Sequence, residues 1–308
     1  MDRTSKTKVE QGRVAVHWLG QAGFCLKNHS GDLIYIDPYL SDSANADGAS
    51  PRLVDIPIKP KDVRLSYLFL THDHPDHTDP HSAPAIAQSN PEATIVCPPS
   101  SARLLIKLGV PSDQITTAMP GQTLSFTNFT AHVVPAHHTE DSVGYVFDFN
   151  HGNDTAVGPV VYHVGDSEYH DGLAAAVAEF ITDVLLIPIN SEHASMTLEQ
   201  AVKLTLEIEP REVIPMHYGM FDSDTNDPDD FVGQLTAELV HHADIAIAPV
   251  VMKQNSCHMY CPDATVHGKH AKKHERAERA RQARQGHEHK DGVRAPGTAN
   301  GQSAGRGR

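Results

Sequence analysis

The chain has 308 residues, 39% of them hydrophobic and 21% charged, an ordinary composition for a globular protein long enough to bury a sizeable core. Its formal net charge of −14 is uneven: from Val266 to Arg308 there are 11 Lys/Arg against 4 Asp/Glu, a net +7, which leaves −21 on the remainder. That acidic body disfavours a nucleic-acid partner held along an extended groove, and no run approaches the roughly 18 apolar residues needed to span a bilayer, so no membrane partner is expected.

Residues 1–12 are polar, lack the apolar core of a secretory signal and are expected to be flexible. Strands are predicted at Val14–Trp18, Phe24–Lys27 and Leu33–Asp37, the last two joined by the glycine-containing hairpin loop Asn28-His29-Ser30-Gly31-Asp32. Further strands follow at Tyr67–Leu70, Thr94–Val96, Ala131–Pro135, Val143–Phe149, Val160–Val164, Val184–Ile189, Val213–Pro215 and Ile245–Val251. Helices are predicted at Pro80–Gln88, Ser100–Leu108, Leu173–Phe180, Thr197–Glu207 and Asp229–Val240. Asp79-Pro80 gives the first a cap and a first-turn proline, and Gly109 with Pro111 ends the second. Strands mixed with helices, without strict alternation, imply two packed sheets with helices outside. One domain over residues 13–262 is followed by a basic, His/Arg-rich tail over 263–308, read as disordered apart from a solvated helix compatible with Lys269–Arg284. The four cysteines, Cys25, Cys97, Cys257 and Cys261, are too few and too scattered for a disulfide framework, and a reducing cytoplasm suits them best.

The most informative residues are Thr71-His72-Asp73-His74-Pro75-Asp76-His77, directly after the buried strand Tyr67–Leu70. Imidazole and carboxylate are the ligands preferred by zinc and accepted by manganese and iron, and four such groups on one strand-end loop are more than a core needs. Three other strands also end in ligand types: His137-His138 after Val133–Pro135, Gly165-Asp166 after Val160–Val164, and His217 after Val213–Pro215. Converging on one rim of a two-sheet core, they would form a metal centre.

The order HxHxDH, then His, then Gly-Asp, then His resembles the metallo-β-lactamase superfamily. Trp18-Leu19-Gly20, Gly23, Ile36-Asp37, Gly109-Val110-Pro111 and Tyr162–Ser167 add a likeness to the branch that contains the L-ascorbate-6-phosphate lactonases, over roughly Val14 to Val251. The resemblance implies a four-layer αββα sandwich, an α/β fold of two mixed β-sheets flanked by helices, and two divalent metal ions (zinc or manganese, with iron as an alternative). His72, His74 and His138 would hold one ion, Asp76, His77 and His217 the other, and Asp166 would bridge them. His138 takes the family position in preference to His137. A histidine there departs from the lactonase branch, where an aspartate can stand, as does the absence of that branch's N-terminal extension and of its insertion after Asp37.

Two divalent ions about 3.5–4 Å apart can share a hydroxide at neutral pH, and Asp76 and Asp166 are the carboxylates closest to that chemistry. Asp37 is either an acceptor behind a ligating imidazole or a turn former before Pro38. Asp73 can act as a proton shuttle in some branches, and Asn190, His193 and Tyr218 are candidates for lining the pocket. The expected activity is hydrolysis of a small polar ester, in its sharpest form a sugar-acid lactone. A phosphodiesterase acting on a small substrate and a non-catalytic metal-binding scaffold are the alternatives. The partner implied is a small molecule, and self-association into a homo-oligomer stays open.

Overall fold

A computed structural model describes residues 3–45, 51–150, 158–190, 195–223 and 225–262. The tail from residue 263 and the Ser191-Glu192-His193 segment lie outside these residues. A helical turn α1 (Arg3–Lys6) comes first, and the terminus expected to be loose is tied down there: Lys27 Nζ donates to Ser5 O at 2.6 Å and Thr4 Oγ1 lies 3.1 Å from the Tyr35 hydroxyl.

The first sheet contains β1 (Val14–Gly20), β2 (Gly23–Lys27), β3 (Leu33–Ile36), β4 (Tyr67–Phe69), β5 (Thr94–Cys97) and β6 (Ile115–Thr117). The second contains β7 (Thr123–Ser125), β8 (Thr130–Pro135), β9 (Val143–Asp148), β10 (Val160–His163), β11 (Val184–Pro188), β12 (Glu212–Met216) and β13 (Ala248–Pro249). A final strand, β14 (Ser256–Tyr260), returns to pair antiparallel with β1 at the edge of the first sheet. Both sheets are mixed. β3 to β6 are parallel in one, β10 to β13 are parallel in the other, and the remaining pairings are antiparallel.

Period-2 patterning builds three layers of apolar contact from these strands. On β1, Val14, Val16 and Trp18 face the core between the sheets, while Leu19 joins the outer face. On β4, Phe69 points inward and Leu68 outward; on β11, Val184 and Leu186 point inward and Leu185 and Ile187 outward. The outer face of the first sheet is covered by α2 (Ser82–Ser89) and α3 (Pro99–Lys107) through Ala83, Ile86, Ala102 and Leu105. That of the second is covered by α4 (Gly172–Ala176), α5 (Leu198–Ile208) and α6 (Pro228–Leu239) through Leu173, Ala201, Phe231 and Leu235. The result is the αββα sandwich. Local signals agree with it: Thr197 and Gln200 form a reciprocal capping box at α5, and Asp227 with Pro228 starts α6. No helix among the described residues is long and apolar enough to cross a membrane.

Phe69 sits at the centre of the inter-sheet core with no exposed surface, edge-on to Tyr145 and Phe147 at centroid distances of 5.1 and 4.9 Å. Phe69→Ala removes that ring from a close-packed interior and is expected to cost about 3–5 kcal/mol, read as a lowered denaturant midpoint in equilibrium unfolding. A loss below 1 kcal/mol would mean that the sheets do not pack through this residue.

The structure departs from the predicted elements mainly at the sheet edges. β6, β7 and β14 were not predicted, and the predicted strand over Ile245–Val251 is only Ala248–Pro249. All four are edge strands, which bury one face or less and therefore carry little hydrophobic alternation. The predicted helix Leu173–Phe180 also shortens to Gly172–Ala176. Cys257 lies on β14 and Cys261 just past it, and none of the four cysteines forms a disulfide.

Candidate metal centre

The carboxyl ends of β3, β4, β8, β10 and β12 all open on one rim, the position where α/β sheets characteristically place their sites. After β4 the chain continues through buried Leu70 and Thr71 into the loop His72–His77, which is irregular because its ligand-type side chains leave it no apolar face. Asp79 anchors that loop. Its fully buried carboxylate accepts from Leu40 N, Ser41 Oγ, Ser43 Oγ, His81 N and Ser82 Oγ, stapling the chain after β3 to the start of α2. The sequence marks Asp79 only as a helix cap; α2 begins at Ser82, two residues after the predicted start.

Asp37, just past β3, organises the imidazoles from behind. It is completely buried and has φ of 43°. Its Oδ1 accepts from Thr71 N at 2.9 Å, and its Oδ2 accepts from Thr71 Oγ1 at 2.6 Å and from His77 Nδ1 at 2.8 Å. Because the Thr71 hydroxyl proton is committed to Asp37, the Thr71 oxygen accepts from His72 Nδ1, 3.0 Å away. In the neutral rings, one carboxylate thereby puts the proton on Nδ1 of both His72 and His77 and leaves a lone pair on each Nε2. Both Nε2 atoms are buried and have no hydrogen-bond partner among the described residues. Of the two readings of Asp37, the structure places it behind the imidazoles.

Three sets of ligand atoms lie within 4.8 Å of one another: His72, His74 and His138; His72, His77 and Asp166; Asp76, His77 and His217. Asp166 sits between the outer two. Its Oδ2 is 3.2 Å from His217 Nε2, 3.5 Å from His77 Nε2 and 3.8 Å from His138 Nε2, while its Oδ1 is buried without a partner among the described residues. Asp76 Oδ2 is 3.6 Å from both His77 Nε2 and His217 Nε2. His74 Nδ1 and His138 Nε2 are 3.0 Å apart at the exposed side of the cluster. Unpartnered buried lone pairs cost free energy unless something electropositive satisfies them, and a divalent cation in each half of this cluster would do so. The donor set therefore fits divalent metal.

The backbone is strained where these residues are aimed. Of the five non-glycine residues at positive φ among the described residues, three (Gln21, Asp37 and His217) touch this cluster, a concentration typical of functional sites. Gly165, with φ of 70°, turns the chain so that Asp166 faces inward, and a Cβ there would approach Val143 O to 2.9 Å.

Electrostatics follow from burial and pairing. Burial and the neighbouring His77 push His72 well below the ordinary imidazole range, which keeps it neutral. Burial likewise lowers His138. Burial opposes ionisation of Asp166, but His217 and His77 outweigh it and hold that carboxylate well below its usual range. His77 moves the other way: Asp76, Asp166 and Asp37 raise it well above normal against the effect of burial.

The remaining sequence candidates fall in different places. His137 is exposed and stacks on His170 at 3.6 Å, outside all three ligand sets, whereas its neighbour His138 lies within one. Asp73 is half-buried on the loop and also outside the sets. Tyr218 is a packed tyrosine: its hydroxyl donates to Met252 O at 2.8 Å and its ring packs on Trp18. Asn190 is fully buried just past β11, its Oδ1 accepting from Ser195 Oγ and its Nδ2 without a partner among the described residues. His163 is a core residue, with Nε2 donating to Ala22 O at 2.9 Å. His193 lies outside the described residues. Two residues that sequence reasoning passed over, Thr71 and Gln21, touch the ligands directly. Thr71 was signalled only by its place before the first histidine, and Gln21 by its place in the tight turn after Gly20.

A two-sheet sandwich carrying this His/Asp rim defines the class of metal-dependent hydrolases with an αββα core. Residues 33–218 match the family described as the beta-lactamase superfamily domain. A "UPF0173 metal-dependent hydrolase" of Myxococcus xanthus is 30% identical over 239 residues, covering 73% of this chain and 77% of that protein. One of Archaeoglobus fulgidus is 31% identical over 225 residues, covering 70% of this chain and 88% of its own. Among solved structures, that of Igni18, described as a novel metallo hydrolase from Ignicoccus hospitalis, superposes with a TM-score of 0.65 at 21% identity over 82% of this chain and all of that one. The chain belongs to the metallo-β-lactamase superfamily.

Proposed function

We propose that the protein hydrolyses a small polar ester, in its sharpest form a sugar-acid lactone, with two divalent ions held at the rim. The observation that carries this reading is the set of buried, unpartnered ligand atoms, His72 Nε2, His77 Nε2 and Asp166 Oδ1, converging with His74, His138, Asp76 and His217. His72, His74 and His138 would hold one ion, Asp76, His77 and His217 the other, and Asp166 would be shared. When bound, the ions would polarise the ester carbonyl and supply activated water at neutral pH.

The chain's own contribution is order. Asp37 and Thr71 hold two imidazoles in the tautomer that leaves Nε2 free, and Asp166 keeps its charge despite burial. The exposed side at His74 and His138 is where a substrate would enter. Among the described residues, the groups paired with Asp76, His77, Asp166 and His217 are His, Asp and Gln, with no Lys or Arg. An uncharged ester needs no such cation, whereas a phosphodiester anion would find none beyond the ions themselves. This supports the ester over the phosphodiester.

The test is elemental analysis of the purified protein, followed by a panel of lactones and chromogenic phosphodiesters with added zinc or manganese. Two ions per chain with lactone turnover is the expected result. Phosphodiester turnover alone would replace the substrate class, and absence of metal under every loading condition would remove the reading altogether.

Metal affinity is expected to rise with pH through the neutral range. Burial pulls His77 and His217 down, but the Asp76 and Asp166 carboxylates outweigh it and raise both above the ordinary imidazole range. A proton on Nε2 excludes an ion, so affinity falls as pH drops through these raised values and levels off above them. Competition with a chromophoric chelator at several pH values measures this; an affinity that is flat or falls with rising pH would contradict the ligand assignment.

A further inference from the structure

The turn between β1 and β2 reaches into the half of the cluster formed by Asp76, His77 and His217. Gln21, at its tip, is 1% exposed and has φ of 55°. Its carbonyl oxygen accepts from Trp18 Nε1 at 2.9 Å and from the backbone N of His217 at 3.0 Å. Its side-chain Nε2 donates to Asp76 Oδ2 at 2.8 Å and lies 3.1 Å from His217 Nε2. One residue, distant in sequence from both, thus touches two of the three ligands of that half, one through its side chain and the other through both side chain and main chain.

We propose that Gln21 is the positioning residue of the second metal site: its amide fixes the Asp76 carboxylate and its carbonyl fixes the His217 backbone. This rests on the two-ion reading above. The chemistry favours glutamine at this place. Asp76 Oδ2, the oxygen that faces His77 and His217, is also the oxygen that accepts from Gln21, so the hydrogen bond sets where that oxygen points. A lysine of similar reach would set it equally well but add a positive charge beside the ion. A glutamate would repel Asp76. A neutral donor orders the carboxylate and leaves its charge available to the cation. Once His217 Nε2 gives its lone pair to an ion, the amide proton has Asp76 as its partner.

Among the described residues, the hydrogen bonds of Gln21 go to Trp18, Asp76 and His217 and none to His72, His74 or His138, so the effect is expected at the second ion. The test uses the full-length chain, stripped of metal and titrated with zinc by calorimetry, and with cobalt(II) by visible absorption. Gln21→Met keeps most of the buried volume and removes the donor; Gln21→Ala removes both. The wild type is expected to take up two ions. Both variants should retain the first binding step and weaken the second by about 10–100-fold, the usual effect of losing an outer-shell partner, with a change in the cobalt spectrum of the second ion alone. Equal loss in Gln21→Met assigns the effect to the hydrogen bond, and Gln21→Met decides the matter if Gln21→Ala folds poorly. A wild type that binds two ions and a Gln21→Met variant that binds them as tightly would overturn the assignment of Gln21 alone. A wild type that binds fewer than two would overturn the two-ion reading and this inference with it.

Discussion

Asp166→Asn should lower kcat/KM by about 10³-fold or more, some 4 kcal/mol of transition-state stabilisation, while leaving thermal unfolding close to that of the wild type. The substitution keeps the shape of the side chain at the end of β10 and the turn made by Gly165, so the β10–β11 pairing and the inter-sheet core are untouched. What changes is charge and lone pairs. The carboxylate faces His77, His138 and His217 with one oxygen and has a second oxygen buried with no partner. An amide offers one acceptor, and its NH2 group would confront imidazole nitrogens that must keep their lone pairs free. Burial already opposes the carboxylate, which stays ionised because His217 and His77 favour its charged form. With the charge removed, the two halves of the cluster lose the carboxylate that lies between them. Elemental analysis of D166N should show fewer ions per chain than the wild type. Wild-type turnover with two ions bound would mean that Asp166 is not shared.

The clustering of the candidate side chains is legible in the sequence because of its chemistry. A buried strand followed at once by three histidines and an aspartate is hard to explain by packing, and each of the other ligands also ends a strongly apolar strand. Those strands, β4, β8, β10 and β12, have a neighbour on each side and are mostly buried, so even short ones read as apolar. Short edge strands such as Ile115–Thr117 and Thr123–Ser125 are mostly exposed and carry no such pattern, so they were invisible. The support behind the ligands was equally hidden. Thr71 and Gln21 are ordinary polar residues whose roles depend on what the fold brings to them, from 55 and 196 positions away in the case of Gln21. Tyr218 misled for the converse reason. It follows a ligand in sequence, but the positive φ of His217 redirects the chain and sends the hydroxyl to Met252.

Asp37→Ala is expected to do two kinds of damage at once. The carboxylate is wholly buried and accepts three hydrogen bonds, two from Thr71 and one from His77. Its removal strands a buried backbone N–H and unpairs His77, which the surrounding carboxylates hold well above the ordinary imidazole range against the effect of burial. Breaking a buried pair of this kind costs about 3–5 kcal/mol, and alanine at a φ of 43° adds strain of about 1–2 kcal/mol that aspartate tolerates better. The second effect is chemical. Without Asp37, neither the Thr71 hydroxyl nor His77 Nδ1 has its acceptor, and both His72 and His77 are free to move the proton to Nε2. Affinity for the ions should therefore fall by about 10–100-fold. Asp37→Asn separates the two effects, because an amide oxygen can accept from Thr71 N or from His77 but not hold every contact. It should recover most of the stability and little of the affinity. Denaturant unfolding of the metal-free proteins and metal titration of the same samples give the two quantities independently. Full recovery of affinity in D37N would show that some other group sets the tautomers. Loss of affinity without loss of stability in D37A would place the whole value of the buried carboxylate in aiming the two imidazoles at the metals.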